Sequence, residues 1–239
     1  MKADISAYEQ FGKRATQANF QEIAGRFAFQ KKSEQYLLFD IVEKLSLMPK
    51  DDLLEIGCGA GNLLIPLSFF VNSAAGVDHP NLLKRLKSRL PLDQKNITLV
   101  SGDFLSTKIK EKFSKILIYG VVHCLKDEKE FEMFIRRAAT LLKPKGKILI
   151  GDIPNVDKKA RFLASKEGRK FEEEWRKQIE TVKNANPPIK TQAPIVFNDR
   201  SIQKAVSLFE ELGFSARIVP QTETLSFSFT REDILAEKK

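Results

Sequence analysis

Cysteine and histidine are scarce in this chain: two of each among 239 residues, at Cys58, Cys124, His79 and His123. Two thiols make no disulfide framework and fit a reducing compartment. With no C-x2-C or H-x3-H spacing, the sequence offers no structural zinc site, and no metal is expected. Long apolar runs are missing too. The longest, Leu63 to Val71, is interrupted by Pro66 and Ser68 and is about half the ~20 residues that a bilayer span requires. The opening MKADISAYEQFGKRA lacks the apolar stretch of a secretory signal. These absences predict a cytoplasmic chain with no membrane partner. Internal repeats and low-complexity tracts are absent as well.

What is present is an ordinary globular composition, 42% hydrophobic and 30% charged, with a net charge of +9. The excess is unevenly spread. Residues 156–198 carry 10 basic and 6 acidic side chains, whereas residues 199–239 carry 6 and 7. A basic surface attracts anionic small molecules, acidic lipid or nucleic acid, although a solvated lysine-rich face accounts for such a count equally simply.

Strand and helix patterns alternate, which implies a parallel sheet covered by helices on both faces. Apolar spacing predicts helices over 17–29 and 31–47, so that residues 1–50 form a helical cover. Residues 51–155 then read as a core of five strand–helix units. The strands are expected at Leu53–Ile56, Ala74–Asp78, Ile97–Val100, Lys115–Tyr119 and Lys147–Ile150. Residues 156–198 read as an insertion, with a charged helix over 158–184 followed by proline-punctuated loop. Residues 199–239 complete the core. There a helix over 201–212 is expected, with Asp199 as N-cap and Gly213 as stop, then a hairpin of Ser215–Val219 and Thr224–Thr230. The second hairpin strand is expected because Leu225, Phe227 and Phe229 alternate with Ser226, Ser228 and Thr230.

The most informative stretch is Glu55-Ile56-Gly57-Cys58-Gly59-Ala60-Gly61-Asn62, between the first strand and the helix after it. Glycines there allow a tight turn and close approach of a ligand to the backbone. The spacing is G-x-G-x-G, and Asn62 stands where a dinucleotide fingerprint would want its last glycine, which disfavours a pyrophosphate ligand. Asp78 lies 21 residues beyond Gly57, at the end of the second strand, where a carboxylate accepts hydrogen bonds from ribose hydroxyls. His79 follows it and borders the same place. Gly102-Asp103-Phe104 follows the third strand, with Asp103 suited to an adenine amino group and Phe104 to packing near the ring. Glu55, Asp78 and Asp103 thus share the carboxyl edge of the sheet, the usual ligand crevice of an open α/β fold. An acidic lining suits a positively charged cofactor without phosphate.

These residues resemble the class I S-adenosylmethionine-dependent methyltransferases. The matching blocks are LLEIGCGAGN at 53–62, GVD at 76–78, GDF at 102–104, ILIYGVVHCL at 116–125 and LLKPKGKILIGDIPN at 141–155, in the family's order. The resemblance implies a Rossmann-like seven-stranded sheet of order 3-2-1-4-5-7-6 with its last strand antiparallel. S-adenosyl-L-methionine is then the cofactor, with Gly57, Gly59 and Gly61 beside its methionine portion, Asp78 on its ribose and Asp103 near its adenine. Cys58, Asn62, Gly102, Tyr119 and Gly120 complete the expected cofactor site.

A methyl sulfonium is already electrophilic, so the protein must align an electron-rich acceptor with it and manage one proton. His123, after the fourth strand, is the candidate base by residue type, and Asp152, after the fifth, is the second; each has a plain alternative, as a packing histidine and a loop-capping aspartate. Tyr8 is a further candidate to come over the site. The Asp/Asn-Pro-Pro-Tyr run of the family's base-amine N-methyltransferases is missing, since YGVVHC stands in its place.

The stretch GDIPNVDKKARF and the basic helix after it resemble methyltransferases of bacterial polysaccharide and modified-sugar clusters. Between Lys158 and Lys177, eight basic side chains face four glutamates. The expected acceptor is therefore a small, anionic molecule such as an acidic or nucleotide-linked sugar, and the expected reaction is O-methylation. Residues 156–198 are expected to form a lid over the acceptor, and an RNA methyltransferase using that lid plus Lys84, Arg85, Lys87 and Arg89 on phosphates is the alternative, but no basic-aromatic stripe supports it. A non-catalytic interaction protein and a nicotinamide oxidoreductase are further readings, told apart by S-adenosylhomocysteine and NADH binding.

Overall fold

The computed structural model describes residues 6–182 and 195–239. Seven strands form one sheet: β1 (Asp52–Ile56), β2 (Ser73–Asp78), β3 (Ile97–Ser101), β4 (Phe113–Tyr119), β5 (Leu142–Pro154), β6 (Phe214–Val219) and β7 (Arg231–Lys238). Their order is β3-β2-β1-β4-β5-β7-β6. β1 to β5 pair in parallel, and β7 runs antiparallel to both β5 and β6. This is the Rossmann-like methyltransferase arrangement.

The strands are apolar on both faces because both are covered. Leu54, Ile56, Ile116, Ile118, Ile148 and Ile150 pack against α7 (Glu128–Leu141) and α10 (Asp199–Glu211). The alternate residues Leu53, Leu117, Leu149 and Leu235 pack against α4 (Leu37–Leu45) and α6 (Pro80–Lys87). Each fully buried side chain of this kind contributes about 1.5–3 kcal/mol. Local signals fix the helix starts. The Asp127 carboxylate accepts from the Glu130 N–H at 2.8 Å, and Pro80 occupies the first turn of α6.

Four expectations are corrected. Residues 17–47 are not two helices but a chain of short ones: α2 (Phe20–Ile23), a 3-10 turn at Ala28–Gln30, α3 (Lys31–Glu34) and then α4. Gly25, at φ +74°, ends the first of them. The helix expected over 158–184 is two helices, α8 (Val156–Ala164) and α9 (Lys166–Val182), separated by Ser165; residues 183 and 184 and the NPPIK stretch lie outside the described residues. The N-cap of α10 is Asn198, in a capping box with Ser201, while Asp199 is the first helical residue and binds Arg161. Thr224–Thr230 is not a strand. Its backbone closes i to i+3 turns at Leu225, Ser228 and Thr230, and the strand beside β6 is Arg231–Lys238 instead. The alternating phenylalanines of 225–229 face aromatic partners rather than a sheet neighbour: Phe227 packs on Trp175, and Phe229 stacks on Phe162.

Before the first strand lies α1 (Ala7–Arg14), seated on α6 so closely that a Cβ on Gly12 would lie 2.5 Å from the His79 ring. The α1–α4 segment therefore arches over the carboxyl edge of β1, β2 and β4.

Candidate active site

A cavity of about 1270 Å³ opens between that arch and the strand ends. Ordinary small-ligand pockets are about 300–1,000 Å³, so it exceeds what one such ligand needs. Its floor is the loop after β1. Gly57, Gly59 and Gly61 take φ of +77°, +54° and +81°, left-handed values that a side chain resists. A Cβ on Gly57 would strike Val121 at 2.4 Å, and one on Gly61 would strike Leu86 at 2.7 Å. The loop is thus pinned between the turn after β4 and α6, which keeps it against the cavity.

Glu55, Gly57, Cys58, Gly59, Asn62, Asp78, Gly102, Asp103, Phe104, Tyr119 and Gly120 all line this space. Gly61, His79 and His123 do not line it, and Asp152 lines a small adjoining cavity instead. The Asp78 carboxylate accepts from the Gly59 N–H at 2.6 Å and from the His79 N–H at 2.6 Å. Its pKa is raised by burial, against those two hydrogen bonds. Glu55 is buried more severely. Its Oε2 has no hydrogen-bond partner, and burial with the nearby Asp78 charge pushes its pKa up to about 8. Asp103 is exposed at the cavity rim, its Oδ1 accepting from the Leu105 N–H. Phe104 packs on Phe134 with ring centroids 4.7 Å apart.

Some expected site residues serve the walls. The Asn62 amide ties the arch to the glycine loop, donating to the Phe20 carbonyl and accepting from Arg89. Arg89 also stacks at 3.8 Å on the Phe20 ring, so the guanidinium considered for phosphate contact closes one end of the cavity. His79 caps α6 through Nδ1 and packs against Tyr8, their centroids 4.9 Å apart. Tyr8 itself reaches the cavity, its phenol pushed up to about 12 by burial and by Asp78 and Asp103. Cys58 and Cys124 have pKa values raised by burial, which makes them packing groups rather than nucleophiles.

Of the two candidate bases, His123 lies next to cavity-lining Cys124 on the turn after β4. Burial, reinforced by Arg231, lowers its pKa to about 4, and its Nδ1 is buried without a hydrogen-bond partner. Asp152 is clamped by two guanidiniums, 2.7 Å from Arg26 and 3.6 Å from Arg231. Burial raises its pKa, but the two cations outweigh that and hold it below the ordinary carboxylate value. A carboxylate so held is a poor proton acceptor at neutral pH.

Sequence reasoning missed Arg26 and Glu34, both from the arch and both lining the cavity. Arg26 Nη2 lies 3.4 Å from where a Cβ on Gly120 would stand, and its Nε is 3.6 Å from Glu34 Oε1. The one sequence clue was Gly25, which breaks the helix and turns Arg26 inward. The basic face expected to receive the acceptor is engaged elsewhere. Lys158 binds Glu232 and the Arg231 carbonyl, Arg161 binds Asp199, and Lys177 binds Glu173; none of them lines the cavity.

Residues 54–150 match the family model described as a methyltransferase domain. Over those residues the chain is similar to a methyltransferase domain, and its fold is the Rossmann-like methyltransferase fold. Solved structures with this methyltransferase fold superpose over nearly the whole chain. The N-methyltransferase NodS from Bradyrhizobium japonicum WM9, in complex with S-adenosyl-L-homocysteine, does so with a TM-score of 0.62 at 15% identity, covering 98% of this chain and 97% of its own. The magnesium protoporphyrin IX methyltransferase ChlM from Synechocystis PCC 6803, with bound S-adenosylhomocysteine, gives 0.59 at 15% identity, covering 97% and 94%. A putative O-methyltransferase from Nostoc punctiforme PCC 73102 gives 0.58 at 18% identity, covering 87% of this chain and 56% of its own. No curated protein matches the chain in sequence. Among the described residues, no helix is long and apolar enough to cross a membrane, and no three His, Cys, Asp or Glu side chains are grouped to hold a metal ion.

Proposed function

We propose that this chain is a methyltransferase that binds S-adenosyl-L-methionine along the glycine loop and transfers its methyl group to a small-molecule acceptor in the same cavity. The observation that carries the reading is the 1270 Å³ space roofed by the α1–α4 segment, large enough for a cofactor and an acceptor side by side. Cofactors of this kind are seen in the NodS and ChlM structures, and the donor set here fits one. The unpartnered Glu55 Oε2 awaits a cationic donor such as the methionine ammonium. Asp78 would accept from the ribose hydroxyls, and Asp103 with Phe104 would hold the adenine. When bound, the cofactor supplies an activated methyl group. The chain supplies enclosure, which excludes water, and alignment of the acceptor.

Within this reading the acceptor is a sugar or another anionic metabolite and the reaction O-methylation, as the sugar-cluster resemblance of residues 151–162 implies. Arg26 and Lys31, both lining the cavity, are the cations that support an anionic acceptor; among the described residues, no lysine or arginine of α8 or α9 lines it. Asp152 supports the site by holding Arg26 in place, and His123 stays neutral behind the β4 turn, because burial lowers its pKa to about 4. An RNA substrate is disfavoured, because Arg85 and Arg89 are spent on the Phe20 ring. Labelled-methyl transfer from S-adenosylmethionine to sugar nucleotides, small metabolites and bulk RNA tests the proposal. Label appearing in the small-molecule arms supports it; label confined to RNA overturns it.

A further inference from the structure

The acceptor half of the cavity contains a carboxylate that the fold itself does not satisfy. Glu34 ends α3, lines both the large cavity and the small one adjoining it, and leaves only 22% of its side chain exposed. Its Oε1 is buried with no hydrogen-bond partner. The nearest charge is Arg26 Nε at 3.6 Å, close enough for attraction and too far for a hydrogen bond. Arg26 is in turn fixed by Asp152 at 2.7 Å, and its other edge faces Gly120, beside the glycine loop. Arg26 therefore sets the Glu34 carboxylate over the place where the turn after β4 meets the cofactor side of the cavity. A buried acceptor atom without a partner is expensive unless a ligand donor meets it.

We propose that Glu34 receives the acceptor, its carboxylate taking a hydrogen bond from the hydroxyl or amine that becomes methylated and then that group's proton. The proposal rests on the methyl-transfer reading above. The balance is direct. A bond forms from the acceptor oxygen or nitrogen to the methyl carbon, the carbon–sulfur bonding pair returns to sulfur, and the acceptor's proton passes to Glu34, which becomes a neutral acid as the sulfonium becomes a neutral thioether. Arg26 is the positioning residue, held by Asp152 of β5, which Arg231 of β7 binds in turn. Burial, with Asp152 adding to it and Arg26 opposing it, raises the Glu34 pKa above the usual carboxylate value, the direction that makes a carboxylate a better base. The other ionisable groups around it are Lys31 on its own helix and Tyr119 from β4, whose hydroxyl accepts from Gln221.

The test needs no acceptor. Sinefungin carries an amine-bearing carbon in place of the methyl sulfonium, so its ammonium stands where the methyl group is delivered. Calorimetry of sinefungin and of S-adenosylhomocysteine is compared in the wild-type protein, Glu34→Gln and Glu34→Asp. The expected result is that Glu34→Gln weakens sinefungin roughly tenfold, a loss of about 1.4 kcal/mol, and leaves S-adenosylhomocysteine unchanged, with Glu34→Asp in between. Unchanged sinefungin affinity overturns the proposal, and so does equal loss of both ligands, which marks Glu34 as a structural or cofactor residue. Failure of the wild-type protein to bind S-adenosylhomocysteine overturns the methyl-transfer reading itself.

Discussion

Glu55 shows how a single side chain can report on what the cavity holds. Its carboxyl is neutral below pH of about 8, because burial and Asp78 oppose its charge. A cationic group bound against Oε2 reverses that preference. The sign follows: the free protein keeps the proton up to about pH 8, the bound form gives it up lower, and binding between those limits releases a proton. Cofactor affinity should therefore rise as pH increases from 6 toward 8, by up to about tenfold per unit. Calorimetry in buffers of different ionisation enthalpy should find proton release at pH 7 in the wild-type protein and less in Glu55→Gln; equal release in both would remove Glu55 from the cation site. That Glu55, Gly57, Gly59 and Asp78 line one cavity was legible in the sequence, because it follows from short-range position at strand ends. Arg26 and Glu34 were not, because their roles come from contacts such as Arg26 with Asp152, 126 residues away, to which local periodicity is blind.

At the scale of elements, α9 is joined to the arch by aromatic rings rather than by charge. Trp175, the only tryptophan in the chain, lies 5.0 Å from Phe29, 6.0 Å from Phe27 and 4.7 Å from Phe227, centroid to centroid. α9 thus ties the roof of the cavity to the segment before β7. Trp175→Ala should lower stability by about 1–3 kcal/mol, less than full burial would imply because the ring is only partly buried. Urea unfolding gives the value, and an unchanged midpoint would show that these contacts do not hold α9 to the roof. The last strand illustrates why element assignment failed where it did. REDILAEK has charged ends and only a short apolar centre, and its Asp233 is fully buried because Lys44, Gln221 and the Asp152 N–H all bind it. Alternation in 224–230 looked more strand-like, yet those phenylalanines serve the aromatic cluster. Asp233→Ala should cost about 1–3 kcal/mol by leaving the buried Gln221 amide and Asp152 N–H without their acceptor, while Lys44 keeps Asp40 at 2.6 Å; the same unfolding experiment reads it, and an unchanged midpoint would mean that these donors are satisfied without Asp233.

Across the whole molecule the charge excess separates from the site. The cavity gathers Glu34, Glu55, Asp78 and Asp103 within a chain of net charge +9, while four of the eight described cations of α8 and α9 pair with carboxylates away from it. The sheet order was legible because five strand–helix units with a glycine loop leave few alternatives. How the N-terminal segment folds over the strand ends was not, since it depends on Gly25 and on Phe20 closing against Arg89 and Asn62. The central claim is that the cavity floor is a cofactor site, and calorimetry with S-adenosylhomocysteine tests it most directly. The wild-type protein should bind one equivalent, and Asp78→Ala and Asp103→Ala should each weaken binding by about 1.5–3 kcal/mol. Wild-type protein that takes up no S-adenosylhomocysteine, or affinity unchanged in both variants, would contradict it.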